Sequence, residues 1–159
     1  MRPGEVGEIV HRSPQLLQGY FNDEARTAAA FEGGWFHSGD LATVDEEGYI
    51  TVVDRKKDMI KSGGENVASR EVEEKIYQHP AVSEVAVVGL SDPYWVEAVT
   101  AVVVVKSGST LDEAALIQHC KSRMAPFKVP KRVVFVESLP KNPSGKLLKR
   151  ELRAKLSRG

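Results

Sequence analysis

A lysine on a glycine-containing loop ahead of a helix can carry positive charge to a phosphorylated ligand, and "PKNPSGKLLKREL", Pro140 to Leu152, sets Lys146 in that position. The segment is not a phosphate-cradling P-loop. Such a loop needs a glycine five residues before Gly145 and a Ser or Thr after the lysine, where Pro140 and Leu147 stand instead. What remains is one cation on a Pro, Ser and Gly turn, which taken alone reads as an idle, solvated surface lysine. Asp40 ends "SGD", Ser38 to Asp40; ionised, it offers only acceptors and suits the two hydroxyls of a ribose, or else it belongs to an ordinary Asx turn. Arg55 is a planar, multi-donor cation that suits the same sugar or a phosphate, although surface arginine is common. Gly63 and Gly64 lack β-carbons, so a thin ligand can pass close to their backbone, or they simply make a two-residue turn.

Other reactive residue types form no such pattern. His11, His37, His79 and His119 lack metal-ligand spacing and read as structural or exposed, so no metal site is expected. Cys120 falls on an apolar helical face and reads as core rather than nucleophile. As the single cysteine it excludes an internal disulfide and fits a reducing compartment. Twenty-two basic and 22 acidic residues cancel, which gives no reason to expect nucleic acid or an anionic membrane surface as partner. No run approaches the roughly 20 apolar residues of a membrane helix, and "MRPGEVGEIV" lacks a secretory signal's apolar stretch, so a cytoplasmic location is the default.

The elements that must position these groups follow from periodicity. "NDEARTAAAF" predicts a short helix capped by Asn22 or Asp23. "GWFHSGDLATVDEEGYITVVDR" alternates as a β-hairpin turning at Glu46 to Gly48, and "KDMIKSGGENV" predicts a second, smaller hairpin with Gly63 and Gly64 at its tip. "SREVEEKIYQH" predicts a helix with Ser69 as N-cap and Val72, Ile76 and Tyr77 on one face. "EVAVVGL" and "AVTAVVVV" are continuous apolar runs, as in strands buried on both faces, and Asp92, Pro93 and Tyr94 make the turn before the second. "LDEAALIQHCKSRM" predicts an amphipathic helix with Leu111, Ala115, Ile117 and Cys120 inward, "RVVFVESL" a strand, and "GKLLKRELRAKL" a basic helix. This order predicts an α+β fold, a small mixed sheet with packed helices over 57–159, preceded by a β-rich segment over 1–56. Unpaired strand edges in that segment are expected to favour disorder or a strand-exchanged oligomer.

Four blocks in order, "GEIVHRSPQLLQGYFNDEART", "GWFHSGDLATVDEEGYI", "DRKKDMIKSGGENVASREVE" and "PKNPSGKLLKREL", resemble the carboxyl-terminal motifs of the adenylate-forming superfamily of acyl-CoA synthetases, luciferases and peptide-synthetase adenylation domains. The resemblance spans essentially the whole chain. It implies that 1–56 is the tail of a large amino-terminal adenylation domain and 57–159 a complete mobile carboxyl-terminal domain. The superfamily's Pro-Lys-Gly phosphate loop is absent here, which places the main ATP and acid pockets in that large domain and implies that these residues alone are inactive.

Residue by residue, the resemblance implies that Asp40 and Arg55 contact the ribose of ATP, and that Lys57 is the hinge between two catalytic poses. It makes Lys146 the catalytic lysine of adenylation and sets Gly63 and Gly64 along the coenzyme A pantetheine channel. Lys61 would face the active site in the second pose. The function implied is that of an AMP-forming carboxylic acid–CoA ligase, a fatty acyl-CoA synthetase, with ATP (its magnesium held by residues outside this chain) and coenzyme A as co-substrates. An adenylation module loading a carrier-protein phosphopantetheine and a non-enzymatic interaction domain are the alternatives.

Overall fold

Alternation within two apolar strands builds two cores. The computed structural model describes residues 2–157, and the chain divides between Lys57 and Asp58 into two compact units. In the second unit, strands β6 (Val82–Asp92) and β7 (Val96–Val105) pair antiparallel from Val82↔Val105 to Asp92↔Val96. Successive side chains of a strand point to opposite faces. Val87, Val99, Ala101 and Val103 therefore turn to one side, onto Val72 and Ile76 of helix α2 (Ser69–Tyr77) and Leu116 and Cys120 of α3 (Glu113–Lys121). Ala86, Val88, Leu90 and Val102 turn to the other, onto Leu152 of α4 (Lys149–Leu156). The uninterrupted valines are thus explained by a sheet covered on both faces, as the sequence predicts.

Strands β4 (Ile60–Ser62) and β5 (Glu65–Val67) form the small hairpin, and β8 (Arg132–Phe135) runs parallel to β7, reached by the crossover through α3. The resulting sheet has the order β5-β4-β7-β6, with β8 also on β7, and is mixed. The first unit is a three-stranded antiparallel sheet of β1 (Gly7–His11), β2 (Phe36–Val44) and β3 (Ile50–Arg55), with α1 (Glu24–Ala30) beside β2. Asp23 caps α1, accepting from the Arg26 N–H at 2.9 Å. The whole is the expected α+β fold.

Three expectations about helix faces need correction. Ser69 is the first helical residue of α2, not its cap; Ala68 holds the cap position with no side-chain hydrogen bond. Tyr77 is 62% exposed, because at about 100° per residue it lies some 140° round the helix from Val72, outside the Val72–Ile76 stripe. In α3 Ala115 is exposed and Leu116 is fully buried. Asp112 accepts from the Ala115 N–H at 2.7 Å and caps the helix, and Leu116 and Cys120, four residues apart on one face, are the positions packed into the core.

Candidate functional site

The "SGD" segment of the first unit is a strand irregularity whose lost ladder bonds are replaced by side chains. Glu8 pairs with Leu41 and Val10 with His37, so residues 38–40 face Ile9 alone. Ser38 Oγ donates to the Ile9 carbonyl at 2.7 Å and accepts from the Asp40 N–H at 3.1 Å. The Gly39 N–H donates to Glu8 Oε1 at 3.1 Å. Asp40 is thereby set opposite Arg55 across β2 and β3, and their side chains pair, Oδ1 to Nε, at 3.0 Å. Both remain partly exposed. Of the residues singled out from the sequence, these two are brought into direct contact.

Glu8 is a hub that the sequence does not reveal. Besides Gly39, its carboxylate accepts from His37 Nδ1 at 3.0 Å and from Lys56 Nζ at 2.9 Å. The hydrogen bond from His37, followed by that from Lys56, holds the Glu8 pKa at about 2, well below its usual 4.5. His37 responds in the opposite sense. Its other ring nitrogen lies 3.2 Å from the Glu32 carbonyl, so both nitrogens face oxygens that can only accept. That favours the doubly protonated ring, and the pKa is raised above 6.5, chiefly by Glu8. Lys56 is raised too, by the same carboxylate.

Lys57 occupies a 3₁₀ turn, Lys56–Asp58. Its neighbour Asp58 is buried and pairs with Arg153 of α4, Oδ1 to Nη2, at 2.7 Å. Within the second unit α4 is also fastened to α2, where Lys149 Nζ reaches Ser69 Oγ and Glu73 Oε1, each at 2.7 Å.

The hairpin tip is a two-residue turn in which Gly63 and Gly64 both have positive φ, +61° and +88°, a conformation that β-carbons oppose. The Gly63 N–H donates to the Trp95 carbonyl at 2.9 Å, and a β-carbon at Gly63 would lie 3.1 Å from the Trp95 ring. Gly64 faces open space. Lys61 is exposed on β4, and its N–H donates to Glu97 Oε2 at 2.7 Å. Trp95, which no motif in the sequence marks, is thus the floor of this tip; Lys131 Nζ lies 4.5 Å above its ring centroid.

Lys146 lies on a different loop, before α4. Its side chain is exposed and makes no hydrogen bond or ion pair among the described residues, while its backbone is bonded on both sides to Asn142. Among the described residues no group of three or more His, Cys, Asp or Glu side chains is placed to hold a metal ion, and no helix is long and apolar enough to cross a membrane. Cys120 is buried among apolar side chains, and its thiol pKa is pushed up to about 11 by burial, the setting of an inert thiol.

Comparison with known proteins defines the class first: residues 71–146 match the family model of the AMP-binding enzyme C-terminal domain. The chain is 50% identical over 151 residues to a feruloyl-CoA synthase of Amycolatopsis sp, covering 95% of this chain and 31% of that protein. It is 46% identical over 151 residues to the long-chain-fatty-acid–CoA ligase FadD13 of Mycobacterium tuberculosis, covering 95% and 30%. Among solved structures, ATP-bound MatB from Rhodopseudomonas palustris superposes with a TM-score of 0.91 at 38% identity, covering 99% of this chain and 31% of that one. The chain belongs to the adenylate-forming superfamily and carries its carboxyl-terminal domain. It spans about a third of the length of these relatives.

Proposed function

We propose that this chain is the carboxyl-terminal part of an AMP-forming carboxylic acid–CoA ligase, with Lys146 as the cation that serves adenylation. The observation that carries the reading is Lys146 itself: a backbone held on both sides, with an ammonium group that no described residue neutralises. Adenylation joins an anionic carboxylate to the α-phosphate of a more anionic ATP. A unit charge pair about 4 Å apart is worth roughly 1 kcal/mol in water and roughly 4 at an effective dielectric of 20. The lysine therefore helps when it enters a closed site and must leave again to admit the thiol.

The other roles follow on the same reading. Asp40 and Arg55 bind the ribose of ATP, and their mutual ion pair supports this by holding acceptor and donor together at the sheet edge. Lys57 is the pivot; its neighbours are each tied within a different unit, Lys56 to Glu8 and Asp58 to Arg153, which leaves Lys57 as the residue between two anchors. Gly63 and Gly64 offer bare backbone to the pantetheine arm of coenzyme A, and Lys61 is exposed on the same hairpin. The magnesium that accompanies ATP is assigned to residues outside this chain. For the acid, a fatty acid is the reading supported by the relative named for a long-chain fatty acid; other relatives are named for ferulate and for 2-succinylbenzoate. The CoA ligases among the relatives favour free coenzyme A over a carrier-bound thiol.

The test is Lys146→Ala in the full-length protein. Losing one preorganised donor to developing charge typically costs about 3 kcal/mol, so adenylation is expected to fall about a hundredfold while thioester formation from supplied acyl-adenylate persists. Equal loss in both half-reactions would reject the assignment.

A further inference from the structure

We propose that Asn142 is a positioning residue for adenylation, fixing the point from which the Lys146 side chain extends; the proposal rests on the role given to Lys146 above. Asn142 grips Lys146 by both of its peptide groups. The Asn142 N–H donates to the Lys146 carbonyl at 2.9 Å, and Asn142 Oδ1 accepts from the Lys146 N–H at 2.8 Å. The same oxygen accepts from the Ser144 N–H at 3.1 Å and from Ser144 Oγ at 2.8 Å. Backbone N–H groups can only donate, so two of these three contacts demand an oxygen at that place, and the orientation of the amide is fixed by chemistry.

The rest of the loop is a matching turn. Asn142, Pro143 and Gly145 occupy the first, second and fourth positions that a type I turn prefers, and the Gly145 N–H closes it onto the Asn142 carbonyl at 2.9 Å. Its base is held by the Lys141–Leu147 bridge and by the Leu148 N–H on the Pro140 carbonyl at 2.9 Å. Such a loop presents a flexible four-carbon side chain from a rigid foot. A cation that must enter and leave a closed site gains from this, because its backbone need not be ordered again at each entry. Without the Asn142 acceptor, the Lys146 and Ser144 amides lose their partner and the foot loosens.

The experiment compares Asn142→Ala, Asn142→Asp and Lys146→Ala in the full-length ligase, measuring pyrophosphate release from acid plus ATP and thioester formation from supplied acyl-adenylate. Amide hydrogen exchange at Lys146 is measured alongside in the 159-residue chain. Asn142→Ala is expected to lower kcat for adenylation about ten- to a hundredfold, with KM for ATP and thioester formation unchanged, and to speed Lys146 exchange. Asn142→Asp keeps the acceptor and should restore most of the rate. Wild-type adenylation by Asn142→Ala beside a crippled Lys146→Ala would overturn the role of Asn142 alone. A harmless Lys146→Ala would overturn the reading of the lysine, and the proposal with it. Equal loss by Asn142→Ala in both half-reactions, or no recovery in Asn142→Asp, would also overturn the proposal.

Discussion

Arg153 Nη2 donates to Asp58 Oδ1 at 2.7 Å, joining the residue that follows Lys57 to the helix that follows Lys146. On the other side of Lys57, Lys56 is held by Glu8 at 2.9 Å. The Lys56 side chain is largely solvent-exposed, so this pair sets geometry more than it stabilises. These two ion pairs, on either side of Lys57, are the geometry behind the hinge role proposed for it. Lys57→Pro fixes φ near about −65° at that residue. On the activity and hinge role proposed above, the substitution in the full-length protein is expected to separate the two half-reactions by about an order of magnitude or more, since a trapped pose would serve only one of them. Parallel progress curves for adenylation and thioester formation, both at the wild-type rate, would remove Lys57 from consideration as the pivot.

Val96 carries a φ of +66°, a left-handed conformation that suits glycine and is costly for a β-branched residue. It sits at the start of β7, paired with Ser62 beside the Gly63–Gly64 turn, and its side chain is 66% exposed, so little burial is lost with it. Removing a left-handed penalty of roughly 1–2 kcal/mol, against roughly 0.5–1 for the added freedom of glycine when unfolded, leaves Val96→Gly more stable by about 0.5–1 kcal/mol. Urea unfolding should move to higher denaturant. A midpoint that stays in place or falls would mean that the local backbone carries no such strain.

Local chemistry was readable in the sequence and long-range partnership was not. The β2–β3 hairpin, the two-glycine tip and the valine-rich sheet announce themselves through periods of two and through turn residues, signals complete within about ten positions. Helix faces were less legible, because a nine-residue helix such as α3 offers too few turns to tell Ala115 from Leu116 until its packing partners are known. Glu8 collects partners 29, 31 and 48 residues away, and Asp58 meets Arg153 at a separation of 95; no local pattern encodes such pairs. Asn142 lies between these cases, since an Asn-Pro-Ser-Gly turn is visible in sequence while the convergence of three donors on one oxygen is not.

Gly63 and Gly64 differ in what surrounds them, and alanine should report it. At Gly64 nothing lies within 4 Å of the place a β-carbon would take, so Gly64→Ala meets only the positive-φ penalty of roughly 1–2 kcal/mol. At Gly63 the added carbon also meets the Trp95 ring at 3.1 and 3.2 Å, and the indole must shift. Overpacking of this kind adds about 1 kcal/mol or more. Gly63→Ala is therefore expected to unfold at lower urea than Gly64→Ala, with altered tryptophan fluorescence. Equal midpoints and unchanged emission would show that Trp95 does not brace the tip.

The Glu8 hub predicts an acid-sensitive first unit. Its folded pKa of about 2 lies below the ordinary 4.5, so the folded form favours the carboxylate. The stability this contributes is fully present above about pH 4.5 and is lost as pH falls toward 2. After allowance for the solvent exposure of its partners the contribution is about 2 kcal/mol. His37 has the opposite sign: its raised pKa gives stability that is present below 6.5 and declines as pH rises through the folded value. Glu8→Gln should flatten the acid limb between pH 4.5 and 2 in pH-dependent urea unfolding, and in an NMR titration it should bring the His37 pKa down toward 6.5. An acid limb that persists in Glu8→Gln, or a His37 titration that does not move, would show that the carboxylate holds neither the bulged segment nor the imidazolium.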